Sequence, residues 1–162
     1  MLDQAEVVVT NTTPLISLVA ATGDLDVLHA VYAKVIVPYE VAQEIQAGGK
    51  DFFGLDVFQQ SLWSTVIQEP VELPAYLQNS LDLGEASVIQ TALLQGISRV
   101  CIDETLGRRL ARLSNLNVTG SIGILLKAKS LGYPISMSDA INRMNERGIW
   151  LSRDVVDFAL AN

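Results

Sequence analysis

Short apolar runs alternate along this chain with stretches whose apolar residues recur every three or four positions, and Pro, Gly, Asn and Thr punctuate the boundaries. Val7 to Thr10 reads as a strand, and Asn11-Thr-Thr-Pro-Leu then sets a helix start with Pro14 close to its first turn. A short helix follows from Asp24. Lys34 to Val37 predicts the second strand, and Pro38 opens a helix carrying Val41, Ala42 and Ile45 inward until Gly48-Gly49 stops it. Asp51 to Gln60 is ambiguous, Trp63 to Ile67 suits a small strand, and a helix near Pro74 leads into a longer one from Leu83 that Gly96 ends. Arg99 to Asp103 predicts another strand, followed by a helix with Leu106, Leu110 and Leu113 on one stripe and Arg108 and Arg112 on another face. Asn117 to Thr119 is a candidate fourth core strand. Gly120 then precedes a helix with Ile124, Leu125, Ala128 and Leu131 inward, and amphipathic helices from about Ser138 to Arg147 and Ser152 to Leu160 complete the pattern.

Strands that are apolar throughout, alternating with helices, imply a parallel sheet covered on both faces. The expected fold class is therefore α/β, a three-layer α/β/α arrangement of four to five short, mostly parallel strands. The 162 residues fit one domain, 1–162, with the helices of about 136–162 packing on it or extending it. Hydrophobic content of 49% with 18% charged residues is enough for a core and excludes global disorder. No apolar run reaches the roughly 18 residues needed to span a bilayer, so no membrane association is expected. The lone cysteine, Cys101, and an N-terminus without a basic flank or apolar stretch point to the cytoplasm.

Net charge is −7, which by itself argues against a polyanionic partner, yet the charge is unevenly placed. Residues 1–98 carry 12 acids and two bases, whereas residues 99–162 carry six acids and nine bases. An acidic site beside a basic track is compatible with that division, as is scattered solubilising charge.

Ligands of open parallel sheets bind beyond the carboxyl ends of the strands. Asn11 and Asp103 follow apolar strands directly and are placed there, although each could equally serve as a helix cap. Glu44 borders the buried face of its helix, with Glu40 one turn earlier on the same side; both could also be ordinary exposed carboxylates. Glu85 lies three residues after Asp82, as in a capping box. Three carboxylates and an amide oxygen at one sheet edge would offer hard oxygen ligands to Mg²⁺ or Mn²⁺. Such an ion could bind a phosphodiester and activate water. Arg108, Arg109 and Arg112 would stand close by to receive phosphates, and Lys127 and Lys129 would extend the track. No GxGxxG, GxxxxGK, GxSxG or HExxH pattern competes, and the only histidine, His29, is expected to be structural or merely exposed. Cys101 is expected in the core, and Trp63 and Trp150 as core or contact anchors.

Taken in order, the fragments Val8-Val-Thr-Asn11-Thr-Thr-Pro-Leu, Val37-Pro-x-x-Val-x-x-Glu44-Ile, Leu83-Gly-Glu85-Ala-Ser-x-Ile, Ile102-Asp103-Glu-x-x-Gly-Arg-Arg-x-Ala and Val118-Thr-Gly-Ser-Ile-Gly make nearly the whole chain resemble a PIN domain. The resemblance is to the branch known as predicted nucleic-acid-binding proteins and implies a PIN-like, Rossmann-like topology. By it, Glu44, Glu85 and Asp103 match three positions of the family's acidic quartet and would bind metal. Asn11 matches the first, catalytic position of that quartet, where most members carry Asp. The resemblance implies Mg²⁺- or Mn²⁺-dependent endoribonuclease activity, with relatives among toxins of type II toxin-antitoxin modules. Implied partners are single-stranded or structured RNA, a cognate antitoxin and a second copy in a homodimer. The amide at Asn11 removes a negative charge beside the metal, so the alternative is a weak or inactive module that binds RNA or a partner protein. The apolar residues Ile149, Trp150, Val155, Val156 and Phe158 suit either packing over the domain or a two-fold contact.

Overall fold

In the computed structural model, which describes residues 7–48, 53–62 and 65–162, the strands are β1 (Val7–Thr10), β2 (Lys34–Ile36), β3 (Arg99–Cys101) and β4 (Asn117–Thr119). They form one sheet in the order β2-β1-β3-β4, with every neighbouring pair parallel. Val37 and Val66 add an isolated parallel bridge beyond β2. Of the small strand expected over Trp63 to Ile67, Trp63 and Ser64 lie outside the described residues, as do Gly49 and Asp51.

The helices are α1 (Thr12–Thr22), α2 (Asp26–Val31), α3 (Tyr39–Ala47), α4 (Leu55–Leu62), α5 (Ala75–Ser80), α6 (Leu83–Gln95), α7 (Thr105–Leu113), α8 (Ser121–Ser130), α9 (Met137–Glu146) and α10 (Arg153–Ala161). Their ends follow from local chemistry. Gly23 and Gly96 close α1 and α6 in left-handed conformations at φ 89° and 66°, which glycine adopts without the Cβ penalty. Pro14 is tolerated in α1 because the N–H groups of a first helical turn have no intrahelical acceptor. Ser136 and Ser152 cap α9 and α10 by accepting from the backbone N–H of Asp139 and Val155.

Helices cover both faces of the sheet, giving the α/β/α sandwich. Val8, Val9, Val35, Val100 and Cys101 are fully buried between the layers, so Cys101 is a core residue as its flanking apolar neighbours suggest. His29 is exposed on α2.

One sequence expectation, the inward Leu131, needs correction. On α7, Leu106 and Leu113 are exposed and Leu110 is half-buried, while Gly107 and Ala111 make the inward contact. Small residues let α7 approach so closely that a Cβ on Gly107 would lie 2.9 Å from Ile102 Cγ2, leaving no room there for leucine. On α8, Ile124, Leu125 and Ala128 are buried, but Leu131 falls just past the last turn and is exposed. Trp150, between α9 and α10, is 84% exposed, which of the core and contact alternatives leaves the contact one.

Candidate metal site at the carboxyl edge of the sheet

Parallel strands deliver their C-terminal residues to one edge, and the helices that follow them begin there. Asn11 follows β1, Asp103 and Glu104 follow β3, and Gly120 and Ser121 follow β4. Glu85 comes from the first turn of α6 and Glu44 from the middle of α3. Asp82 caps α6 by accepting from Glu85 N–H at 2.8 Å. That is half of the expected capping box; the Glu85 carboxyl turns toward α7 instead, 3.3–3.4 Å from where a Gly107 Cβ would be.

Glycines make the space for this assembly. A Cβ at Gly84 would stand 2.8 Å from Glu44 Oε2 and 3.0 Å from Asn11 Oδ1. These two acceptors therefore flank one small volume. Asn11 sits at the N-cap of α1 and is 3% exposed, but its side chain makes no capping bond. Its Nδ2 donates instead to Glu104 Oε2 over a long 3.5 Å, which fixes Oδ1 toward Gly84 and Glu44. Thr13 Oγ1 donates to the other Glu104 oxygen at 2.7 Å. Thr12 Oγ1 is buried beside Glu44 and lowers its proton affinity, yet falls outside full hydrogen-bonding geometry with any described partner.

The electrostatics are those of crowded carboxylates. Glu85, 5% exposed, has its pKa pushed up to about 8, first by burial and then by Asp82, by a proton shared with Glu104, and by the charge of Glu44. Glu44 is raised too, through partial desolvation and then Asp82, with Glu104 adding to it.

Asp103 belongs to a different corner. Burial raises its pKa, but its two oxygens accept from Ser121 N–H at 2.8 Å and Ser121 Oγ–H at 3.0 Å, which pull the other way. It thus caps α8 from a neighbouring connection rather than its own helix. Arg108 donates to the Ile102 carbonyl at 2.8 Å and contributes positive charge beside Asp103.

The structure brings Asn11, Glu44 and Glu85 together, with Asp103 adjoining them through Glu104. Arg108 stands at the site and Arg109 is exposed one residue further on. Arg112 and Lys127 lie in the last turns of α7 and α8, about 10 Å along the helix axes from the site at 1.5 Å per residue. Glu40 is buried away from the cluster and accepts from Val71 N–H at 2.7 Å. Sequence reasoning missed Glu104 and the space-making role of Gly84, Gly107 and Gly120. The available signal was a Gly at or near the start of α6, α7 and α8.

Among the described residues, no three carboxylate, imidazole or thiolate groups are drawn together as a ready-made ligand nest. The donors nevertheless fit a hard divalent cation in kind. All are oxygens, two of them flank the Gly84 cradle without a donor between them, and Thr12 Oγ1 is unsatisfied. A family model described as a PIN domain matches residues 7–162. No curated protein and no solved structure matches the chain significantly.

Proposed function

The chain belongs to the PIN-domain family, a nuclease-type family, and from that premise we propose that it is a toxin-like, Mg²⁺- or Mn²⁺-dependent endoribonuclease working at the carboxyl edge of its sheet. The observation that carries this reading is the convergence of Asn11 Oδ1 and Glu44 on the Gly84 cradle, with Glu85 beside them holding its proton to about pH 8. A carboxylate cluster that cannot ionise fully by itself is stabilised by a cation.

Glu44, Glu85 and Asp103, with the Asn11 amide oxygen, would hold the ion. Bound there, it would supply positive charge to a phosphodiester and acidify a water molecule. The chain's own groups do the rest. Asn11 presents an oxygen whose direction its Nδ2 bond fixes, and the Ser121 bonds hold Asp103 in one orientation. Arg109, exposed beside the cluster, is placed to receive a phosphate, and Arg112 and Lys127 extend a basic track for RNA beyond the reacting centre. This reading takes residues 1–162 as one cytoplasmic domain that forms a homodimer and is restrained by an antitoxin protein. The exposed Trp150, Phe158 and Leu160 support protein contacts at the C-terminal helices. Among the described residues, no helix is long and apolar enough to cross a membrane.

The test pairs Mn²⁺ calorimetry with cleavage of a labelled single-stranded RNA, using wild type and Glu85→Gln. Micromolar binding, on the order of −8 kcal/mol, with cleavage, and loss of both in the variant, is the expected result. Binding without cleavage would favour the second reading, a module that holds RNA or a partner protein. The specific support for that reading is the amide at position 11, which lowers the charge at the metal. Absence of Mn²⁺ binding would overturn the metal reading altogether.

A further inference from the structure

We propose that Glu104 is an additional metal-binding carboxylate of this site and that Asn11 positions it, so that the negative charge absent at the end of β1 is supplied from the end of β3. The inference rests on the metal-dependent reading above and assigns a residue within it.

Three contacts carry it. Thr13 Oγ1 donates to Glu104 Oε1 at 2.7 Å, and Asn11 Nδ2 reaches Glu104 Oε2 at 3.5 Å. Each oxygen thus has one donor from the start of α1, while the lone pairs left over remain available to a ligand. The third is the approach of the Glu85 carboxyl to Glu104. Two carboxylates brought against each other at a half-buried site, with Arg108 committed to the Ile102 carbonyl, have no basic residue directly paired with them among the described residues. Thr12 Oγ1, 97% buried and without a full hydrogen bond, adds a further unsatisfied oxygen at the same edge.

Asp103 is oriented by a different element. Its two oxygens accept from Ser121, which ties the residue directly before Glu104 to the start of α8 and leaves further lone pairs for a ligand. Consecutive residues after β3 therefore divide the work, Asp103 fixing the backbone and Glu104 facing the Asn11 amide and the Glu85 carboxyl. An aspartate at position 11 would set a second anion against Glu104 where the amide now donates. The asparagine is thus the complement of Glu104 rather than an isolated loss of charge.

The test is an exchange cycle read by Mn²⁺ calorimetry and by the melting temperature of the metal-free protein. Glu104→Gln should weaken Mn²⁺ binding at least tenfold while leaving the metal-free protein folded. Asn11→Asp alone should lower the metal-free melting temperature, because it replaces a donor by an anion. The double variant Asn11→Asp/Glu104→Gln carries the same two groups exchanged, and it should restore affinity to within about threefold of wild type. A merely structural Glu104 would not give that rescue. Thr13→Val, which removes the 2.7 Å bond without altering charge, should weaken Mn²⁺ severalfold and serves if Glu104→Gln does not fold. Wild-type affinity in Glu104→Gln, with affinity lost in Glu85→Gln, would overturn the assignment and leave the metal site standing. Failure of the double variant to exceed Glu104→Gln would overturn the pairing. A wild type that binds no Mn²⁺ would overturn both this inference and the reading it rests on.

Discussion

Two corners of one sheet edge handle buried carboxylates in opposite ways. At the β3–β4 corner, Asp103 receives a backbone N–H and a hydroxyl from Ser121, with Arg108 nearby, so its charge is met by protein groups. At the β1–β3 corner, the charges of Asp82 and Glu104 raise the proton affinities of Glu44 and Glu85, and the donors supplied among the described residues are the amide of Asn11, the hydroxyls of Thr12 and Thr13 and the Glu85 N–H. Both corners are built from the same chain direction; Asp103 and Glu104 are half-buried and Glu85 buried, while Glu44 and Asp82 are exposed. The difference shows that carboxylates at one sheet edge can be met by protein donors or left facing one another. Glu40, one turn before Glu44, is intermediate: one of its oxygens accepts from Val71 N–H, while Oε2 is buried without a hydrogen-bond partner among the described residues.

The contrast can be broken most severely at the satisfied corner. Asp103→Ala deletes the acceptor for two Ser121 donors, and loss of charged hydrogen bonds at a partly buried site is expected to cost about 2–3 kcal/mol. Chemical denaturation of the metal-free protein measures it, and a cost below about 0.5 kcal/mol would show that the corner is not held by Asp103. A similar deletion at the crowded corner should have the reverse sign.

That reverse effect depends on pH. The folded-state pKa of Glu85, about 8, lies above its ordinary value of 4.5, so the folded protein binds more protons than the unfolded chain between those values. The stability this gives is complete below about pH 4.5 and is lost as pH rises through about 8. Melting temperatures of metal-free wild type should therefore fall from pH 5 to pH 8. Glu85→Gln removes the titration and should flatten the profile, leaving the variant the more stable form at pH 8. A parallel fall in both proteins would place the frustration elsewhere.

The smallest effect is expected on the outer face of α7. Leu113→Ser changes a side chain that is 70% exposed, so metal affinity should be unaltered and stability should move by less than about 0.5 kcal/mol. A larger change, read by the same denaturation, would mean that this face is covered by another chain in solution.

Much of the fold was legible because its signals are local. The β-branched runs of β1 and β2, the glycines after α1 and α6, and the prolines before α3 and α5 each act within a few residues, and the predicted elements fall close to the observed ones. Asn11 and Asp103 were legible as edge residues for a related reason, since a residue just past a buried parallel strand has one place to go. The inward face of α7 was not legible because its leucines give the clear periodic pattern, whereas the packing that won, Gly107 and Ala111 against Ile102, depends on how near the sheet lies. Glu104 was missed for a comparable reason, as its partners Asn11 and Thr13 lie more than 90 residues away.

The sequence by itself determined the parallel α/β architecture, the strand ends at which polar residues gather and the family to which the chain belongs, because periodicity, punctuation and motif order are properties of neighbours along the chain. Tertiary structure alone decided which acids are compensated. Whether a carboxylate meets Ser121, an amide or another carboxylate depends on distances between segments far apart in sequence, and electrostatic energy in a half-buried site changes steeply over a few ångströms.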